Sequence, residues 1–367
     1  MLSIRPSSPP PCLAAPLPPF PRPCPARRLP PCVAVAAATG QRGRRRGDDD
    51  YHATIRSLNS RGRHTPRKSL GQHYMLNSSV NDELVRVAGV GEGDVVLEIG
   101  PGTGSLTNAL IDAGGTVVAI EKDPQMATLV QERFHSTDQL MVLQEDFTKC
   151  HIHSHLSSLL EKNHKESSPT YAKVVSNLPF NISTEVVKQL LPMGDVFSDV
   201  VLLLQDEAAS RLADCSLRTS EYRPINIFVK FYSDPAYIMK VERTNFFPQP
   251  NVDAAIIRFR LKRSAEYPSV ASPKSFFSMV NSAFNGKRKM LRKSLQHMCP
   301  SAEIESALMT IGQTVTARPE ELTEEGNSCG GIFKEKLSDQ VGQICVSHPR
   351  AYLEKGLCKK RGGLSSS

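Results

Sequence analysis

The chain has 367 residues, enough for a large domain, a smaller one and terminal extensions, and its 40% hydrophobic content is that of an ordinary globular protein. No run of about eighteen apolar residues occurs, so the sequence predicts no membrane association. The net charge of +8 comes from residues 1–47, which hold eight of the 45 basic residues and no acidic ones. The other 37 basic residues equal the 37 acidic residues in number, so overall charge does not indicate a nucleic-acid partner.

Residues 1–47 have the composition of a transit peptide. They contain arginine but no acidic residue, are rich in proline and small residues, and include the apolar run Val33–Ala38. The prolines at 9–11 and 18–19 interrupt the continuous apolar segment that a secretory signal needs. We expect import into a plastid, because a proline-rich segment is poorly suited to an amphipathic helix. A mitochondrial address and an ordinary disordered tail are the alternatives.

The cysteines show no metal-binding spacing. Three of the nine fall within residues 1–47, and the other six are scattered without a CxxC pair. We therefore expect reduced, buried or inert thiols and no metal site.

The patterned part of the chain begins near Lys68, after a polar and basic segment over 48–67 that we expect to be a flexible arm. Short apolar runs alternate with segments of helical period, which predicts a parallel sheet with helices on both faces. The predicted strands are Val95–Ile99, Thr116–Ile120, Leu140–Leu143, Val174–Ser176 and Val200–Leu204. The predicted helices between them are Ser105–Ala113, Pro124–Phe134 and Thr184–Leu191.

The later elements predict an antiparallel edge and a second domain. Polar residues 162–170 are expected to form a loop, and two further strands are predicted at Phe228–Tyr232 and Ala254–Leu261. Helices over Ser275–Phe284 and Lys287–His297 then predict a small helical domain at 263–323, following a large domain at 68–262. From Glu324 to the end at 367 the pattern dissolves, and we expect an atypical, unstructured tail.

The strongest local motif is Glu98–Gly104, with the sequence EIGPGTG between a predicted strand and a predicted helix. Glycine permits the sharp turn and the close approach of backbone to a ligand. The spacing is GxGxG rather than the GxGxxG of dinucleotide-binding folds, which favours S-adenosylmethionine. Gly100 and Gly102 are therefore candidate cofactor contacts, with Glu98 facing the charged amino-acid end.

Two further carboxylates follow the next strands. Glu121 ends the second strand, where an acidic side chain can accept from both ribose hydroxyls, and Asp146 ends the third, where it can meet the adenine amine. Each alone would more often be a solvated strand-end residue. Because the carboxyl ends of parallel strands meet in one crevice, their succession predicts a cofactor site.

Asn177–Phe180 (NLPF) follows the fourth strand and is a variant of the tetrapeptide found in amino-group methyltransferases. The N6 lone pair of adenine is delocalised, so the amine is a poor nucleophile. The Asn177 side-chain oxygen and a backbone carbonyl just before or at Pro179 can accept the two amine hydrogens and direct the lone pair to the methyl group. Phe180 can stack on an extruded base. In isolation the tetrapeptide could equally be a strand-end turn.

Several segments together resemble the KsgA family of ribosomal-RNA adenine dimethyltransferases. Residues 68–75 (KSLGQHYM) resemble its KRLGQNFL, and residues 177–184 (NLPFNIST) resemble its NLPYNIST. QDEA at 205–208, FPQPNVD at 247–253 and AFNGKRK at 283–289 resemble three further family signatures. The resemblance extends from about Arg67 to Leu322 and is nearest in character to the plastid member.

The resemblance implies a Rossmann-like methyltransferase domain followed by a small helical domain. It implies transfer of two methyls from S-adenosylmethionine to each of two adjacent adenines near the 3′ end of small-subunit rRNA. We expect a monomer, and both free rRNA and a pre-assembled small subunit stay open as its substrate. A non-catalytic transcription factor or ribosome assembly factor is the alternative. The cofactor contacts that it implies are His73, Met75, Gly100, Glu121, Asp146 and Asn177.

A basic segment is the candidate RNA-binding surface. Its residues are spaced so that one helix face can pack while the other meets phosphates, although a solvated charged face is the commoner fate of such a run. The candidate residues are Lys287, Arg288, Lys289, Arg292 and Lys293.

Overall fold

The computed structural model describes residues 71–162, 171–213, 222–268, 270, 272–286, 289–310 and 312–319. These residues lie in one compact unit. The predicted transit peptide, basic arm and C-terminal tail lie outside the described residues, as does most of the predicted polar loop. Within the described part, no helix combines the length and the apolar character needed to cross a membrane.

A seven-stranded sheet organises the fold. Its strands are β2 (Val95–Ile99), β3 (Thr116–Ile120), β4 (Leu140–Leu143), β5 (Ala172–Asn177), β6 (Phe197–Gln205), β7 (Ser233–Val241) and β9 (Ala254–Leu261). They lie in the order β4-β3-β2-β5-β6-β9-β7, and a separate ladder pairs β1 (Tyr74–Met75) with β8 (Phe246–Phe247). The first five strands of the sheet are parallel, and β9 runs antiparallel between β6 and β7.

Ten helices are described. They are α1 (Ser78–Ala88), α2 (Ser105–Asp112), α3 (Pro124–Arg133), α4 (Ile152–Lys162), α5 (Ser183–Leu190), α6 (Asp206–Ala213), α7 (Pro224–Tyr232), α8 (Pro273–Ala283), α9 (Leu291–Ser294) and α10 (Ser301–Thr310). Alternate residues of β2 belong to different hydrophobic clusters: Leu97 packs in the cluster that contains Leu156 of α4, and Val96 in the cluster that contains Leu84 of α1. Helices therefore cover both faces of the sheet, which confirms the predicted Rossmann-like α/β fold.

The predicted strand Phe228–Tyr232 is wrong, because this segment forms the second half of α7. Pro224 occupies the first turn and the Asn226 side chain accepts from the Arg223 backbone N–H at 2.9 Å, so the helix start is fixed. The real antiparallel edge strand is β7, which begins at Ser233. It is largely exposed and contains Pro235, which is tolerated on an edge strand because its outer side needs no donor.

The predicted helix Lys287–His297 is also wrong in extent, since α9 covers only Leu291–Ser294. Met290 is extended at its N-cap, and the Leu291 N–H donates to the Ala317 carbonyl at 2.9 Å. This tertiary bond competes with a longer helix. Residues 287 and 288 lie outside the described residues.

The C-terminal helices share the core of the sheet. Phe276 of α8, Leu291 of α9 and Ile304 of α10 belong to the same hydrophobic cluster as Leu97 of β2. Aromatic rings link the two parts, with Phe231 and Phe276 centroids 5.5 Å apart. The boundary at 262/263 between a methyltransferase domain and a helical domain stays a prediction.

Candidate active site

One cavity opens at the carboxyl ends of β2, β3, β4 and β5, and encloses about 1130 Å³ including its open mouth. That is the size of a pocket for a nucleoside-containing ligand. The predicted cofactor and catalytic residues all line it: His73, Met75, Gly100, Gly102, Glu121, Asp146, Asn177, Pro179 and Phe180. The structure thus brings together residues separated by more than 100 positions in the chain.

The glycine loop supplies the floor. Gly100, Gly102 and Gly104 have φ of 69°, 58° and 80°, in the left-handed region that glycine alone adopts without strain. A Cβ on Gly102 would lie 3.2 Å from the Tyr74 ring, and one on Gly104 would lie 2.7 Å from the Phe134 ring. The Gly100 N–H donates to the Ile120 carbonyl at 2.9 Å, which anchors the loop to β3. Glycine is therefore required by the left-handed backbone of the loop, and at Gly102 and Gly104 the neighbouring rings also leave little room for a Cβ.

Two buried carboxyl groups flank this loop. Glu98 is 1% exposed and accepts from the Thr107 hydroxyl at 2.6 Å, and burial raises its pKa to about 8. Glu121 accepts from the Asp123 N–H at 2.8 Å and from the Gly102 N–H at 3.4 Å. Burial raises the pKa of Glu121, and these backbone bonds oppose the rise. Glu121 thus ties the end of β3 to the glycine loop while it lines the cavity.

Asp146 lies just beyond the end of β4 and is held in its charged form. Its Oδ2 is 2.9 Å from Lys122 Nζ, and its Oδ1 accepts from the Thr148 N–H and hydroxyl. The Lys122 bond lowers the pKa of Asp146, and the Thr148 bonds contribute. An anchored carboxylate at this place can accept from an exocyclic amine.

The N-terminal segment forms a wall of the cavity through contacts with a distant part of the chain. His73 Nδ1 donates to the Pro248 carbonyl at 2.6 Å, and Met75 is buried opposite Phe246 in the β1–β8 ladder. The His73 and Phe180 rings lie 5.8 Å apart at 31°.

The catalytic tetrapeptide turns away from the end of β5. Asn177 Nδ2 donates to the His73 carbonyl at 3.3 Å, which orients the amide so that Oδ1 is the atom left to accept from a ligand. The Pro179 carbonyl already accepts from the Ile182 N–H at 3.2 Å. The Leu178 carbonyl is therefore the better of the two backbone acceptors that the sequence proposed.

Sequence reasoning missed two residues that line the cavity, Asn81 and Gln72, and a third, Phe247, that adjoins the His73 contact. Asn81 on α1 lines the cavity and its buried Oδ1 has no hydrogen-bond partner within the described part of the chain. Gln72 lines it too and donates to Asp123 at 3.2 Å. Phe247, 37% exposed, precedes the proline that binds His73. No local motif marks Asn81, which occupies a core position of an amphipathic helix.

The residues present fit S-adenosylmethionine. The floor is left-handed backbone at Gly100 and Gly102, and the wall offers two carboxyl groups for a ligand rich in hydroxyl and amine donors. An orphaned acceptor in the same wall also indicates a ligand with a donor.

Glu145, Cys150 and His155 form a compact group beside the cavity, with ligand atoms within 4.8 Å of one another. His155 Nε2 lies 3.3 Å from Glu145 Oε2, and burial together with a bond to Glu145 raises the pKa of Cys150 to about 12. The thiol is therefore protonated, and the three groups satisfy one another. The expectation of no metal site stays a prediction.

The basic candidates differ in their surroundings. Lys289 and Lys293 are exposed, whereas Arg292 is half-buried and its Nη1 lies 2.8 Å from Glu305 on α10. Lys287 and Arg288 lie outside the described residues.

Comparison with known proteins places this geometry in a family. A family model described as ribosomal RNA adenine dimethylase matches residues 63–325. The chain is 67% identical over 278 residues to a chloroplastic ribosomal RNA small subunit methyltransferase of Arabidopsis thaliana, covering 75% of this chain and 80% of that one. It is 36% identical to ribosomal RNA small subunit methyltransferase A of Protochlamydia amoebophila, over 71% of this chain and 88% of that one.

Solved structures agree on the fold. The 23S rRNA methyltransferase ErmE aligns with a TM-score of 0.53 at 23% identity, covering 74% of this chain and all of that one. A dimethyladenosine transferase from Plasmodium falciparum aligns with a TM-score of 0.52 at 21% identity, covering 76% and 98%. The family model and the curated relatives confirm the resemblance seen in the sequence motifs, and the chain belongs to the ribosomal RNA adenine dimethylase family.

Proposed function

We propose that this protein transfers two methyl groups from S-adenosylmethionine to the N6 amine of each of two adjacent adenines near the 3′ end of small-subunit rRNA, in the plastid. The observation that carries the proposal is the oriented Asn177 amide beside Phe180 at the mouth of the cofactor cavity. Family membership and the chloroplastic relative support the substrate class and the compartment.

The strand order supports an assignment of each part of the cofactor to the end of a different strand. From one side to the other the strands are β4, β3, β2 and β5. Asp146 after β4 would meet the adenine, Glu121 after β3 the ribose, the glycine loop after β2 the methionine part, and Asn177 at the end of β5 the methyl acceptor. When bound, S-adenosylmethionine supplies an electrophilic methyl group.

The protein's own contribution is to orient the acceptor amine. Asn177 Oδ1 and the Leu178 carbonyl accept its two hydrogens, which directs the nitrogen lone pair along the line of transfer. No general base is needed in this arrangement, because the methylated nitrogen becomes acidic and releases its proton readily. After the first transfer the amine carries one hydrogen, so one of the two acceptors is enough to orient it for the second transfer.

An aromatic surface holds the base. Phe180 lies beside His73, whose bond to the Pro248 carbonyl keeps its ring in place. Phe247 adds an exposed ring next to Pro248. These rings can take the faces of an adenine removed from its RNA stack.

The test uses the full chain, labelled S-adenosylmethionine and under-methylated small ribosomal subunits, with modified adenines mapped by primer extension. We expect paired stops at adjacent adenines near the rRNA 3′ end. Asn177→Ala should lower the rate by about 100-fold or more. Cofactor binding without transfer by the wild-type chain would refute the enzymatic assignment and favour a binding-only role.

A further inference from the structure

A buried polar group in the cofactor cavity has no structural explanation. Asn81 lies on the inner face of α1 among Val80, Leu84 and Val87, and is 2% exposed. Its Nδ2 donates to the Ser105 hydroxyl at 2.6 Å, which fixes the amide so that Oδ1 has no hydrogen-bond partner in the described structure. An unsatisfied buried acceptor is destabilising, and its persistence calls for a ligand.

The position of Asn81 in the cavity indicates which part of the ligand it contacts. Ser105, its partner, is the first residue of α2 and directly follows the glycine loop. Thr107, in the same turn of α2, donates to Glu98. Asn81, Ser105 and Glu98 all line the cavity beside β2, where the strand order places the methionine part of the cofactor.

The hydrogen-bonding groups of Asn81 and Glu98 indicate which chemical group of the methionine part binds in this corner of the cavity. Asn81 Oδ1 is an acceptor. Glu98 is buried and its pKa is raised to about 8, so a positive charge bound beside it would favour the ionised form of its carboxyl, which is also an acceptor. Of the groups on the methionine part, the α-ammonium offers donors and a positive charge, whereas the carboxylate offers neither. The corner is therefore complementary to an ammonium.

We propose that Asn81 is a cofactor-binding residue, whose Oδ1 accepts a hydrogen bond from the α-ammonium of the methionine part of S-adenosylmethionine. This inference rests on the proposed function, because it assumes that the cavity holds that cofactor. It adds a recognition element on α1, outside the strand ends and the glycine loop.

The experiment compares two ligands by isothermal titration calorimetry: S-adenosylhomocysteine, which carries the amino-acid end, and 5′-methylthioadenosine, which lacks it. Asn81→Leu should weaken S-adenosylhomocysteine binding by about 10- to 100-fold, the effect of a lost hydrogen bond to a charged group. Binding of 5′-methylthioadenosine should change by less than about 2-fold. The matched control is Asn108→Leu, a half-buried asparagine of α2 that does not line the cavity, which should change neither affinity.

Equal losses for both ligands, or no loss for either, would overturn the proposal. Failure of the wild-type chain to bind either ligand would instead refute the cofactor assignment, so the two failures are distinguishable. Thermal unfolding of the ligand-free protein gives a second readout: Asn81→Leu should change stability little, because it removes the orphaned Oδ1 and also the bond to the buried Ser105 hydroxyl, and these two effects oppose each other.

A second variant keeps the test decisive if Asn81→Leu does not fold. Asn81→Asp retains an acceptor at the same place and should bind S-adenosylhomocysteine at least as tightly as wild type. A loss specific to S-adenosylhomocysteine in this variant would mean that residue 81 donates to the ligand's carboxylate, and the ammonium contact would be wrong.

Discussion

Glu98 shows how one buried side chain couples stability to pH. Its pKa rises to about 8 in the folded protein because burial disfavours the charged form. Between its ordinary value of 4.5 and about 8, the folded state holds a proton that the unfolded state has released. Stability of the ligand-free protein should therefore fall as pH rises through this window, by up to ~1.4 kcal/mol per pH unit, and level off above it.

Denaturant unfolding of Glu98→Gln between pH 5 and pH 8 checks this, since the variant should lose the part of the slope that Glu98 contributes and keep the part that comes from Glu121, whose pKa burial also raises. Glu83→Gln is the control: its bond with Arg86 lowers the pKa of Glu83 below the window, so its removal should leave the slope intact. An unchanged slope in Glu98→Gln would show that another group is responsible.

Phe180 is predicted to act through its ring and not through any polar group. Phe180→Ala should reduce kcat/KM for small-subunit rRNA by about 5- to 100-fold, the range for loss of a stacked base. Phe180→Tyr should stay close to wild type because it keeps the ring. Steady-state methyl transfer with both variants checks this. Equal losses in both would point to the packing of Phe180 against His73 instead.

At the scale of elements, apolar runs in the sequence predicted most of the strands. Strands β2, β3 and β4 agree with the sequence prediction to the residue, because apolar runs between turn signals leave little choice. This holds even for β4, which lies at one edge of the sheet and is only partly buried. The opposite edge could not be predicted. Strand β7 is exposed and lacks an apolar pattern, whereas α7 is rich in aromatic residues that mimic a strand.

The candidate site likewise contains residues that the sequence could predict and contacts that it could not. Glu121, Asp146 and Asn177 could be predicted because each ends or follows a predicted strand, and parallel strands bring these ends together. The contacts of His73 with Pro248 and of Asn81 with Ser105 could not, since tertiary packing decides them. A polar residue at a core position is visible in the sequence, but its partner is not.

The turn from β2 into α2 gives a prediction about stability. Gly104 has φ of 80°, and an added Cβ would lie 2.7 Å from the Phe134 ring. Gly89, which follows α1, is also left-handed (φ 59°) but has open space around it. Gly89→Ala should cost about 1–2 kcal/mol from backbone strain alone, and Gly104→Ala clearly more. Chemical denaturation measures both, and equal costs would mean that Phe134 moves aside freely.

At the scale of the whole molecule, positive charge that could bind RNA is confined to local patches, because outside residues 1–47 the net charge gives no general attraction. Without residues 1–47 the chain has equal numbers of basic and acidic residues, so phosphate contacts must come from patches. Lys289 and Lys293 are exposed and close in sequence, while Arg292 is engaged with Glu305. We propose that the two lysines carry more of the phosphate contact than the arginine does.

Salt dependence of rRNA binding tests this. Replacing Lys289 and Lys293 with Gln should lower the slope of log affinity against log salt by about 1 for each lysine. The control is Lys149→Gln, an exposed lysine of the short helical turn after β4, which should leave the slope unchanged. A slope that does not change in the double variant would place the RNA contacts elsewhere.

The pairing of β1 with β8 determines when the cavity can be completed during translation. The cavity wall at His73 is held by the carbonyl of Pro248, a residue that leaves the ribosome long after it. During translation the glycine loop is therefore exposed first, and its wall is in place only when the segment after β7 has emerged. We expect a chain that ends before this point to lack the contacts that hold His73 and Met75 against the cavity, and therefore to bind the methyl donor more weakly than the complete protein does.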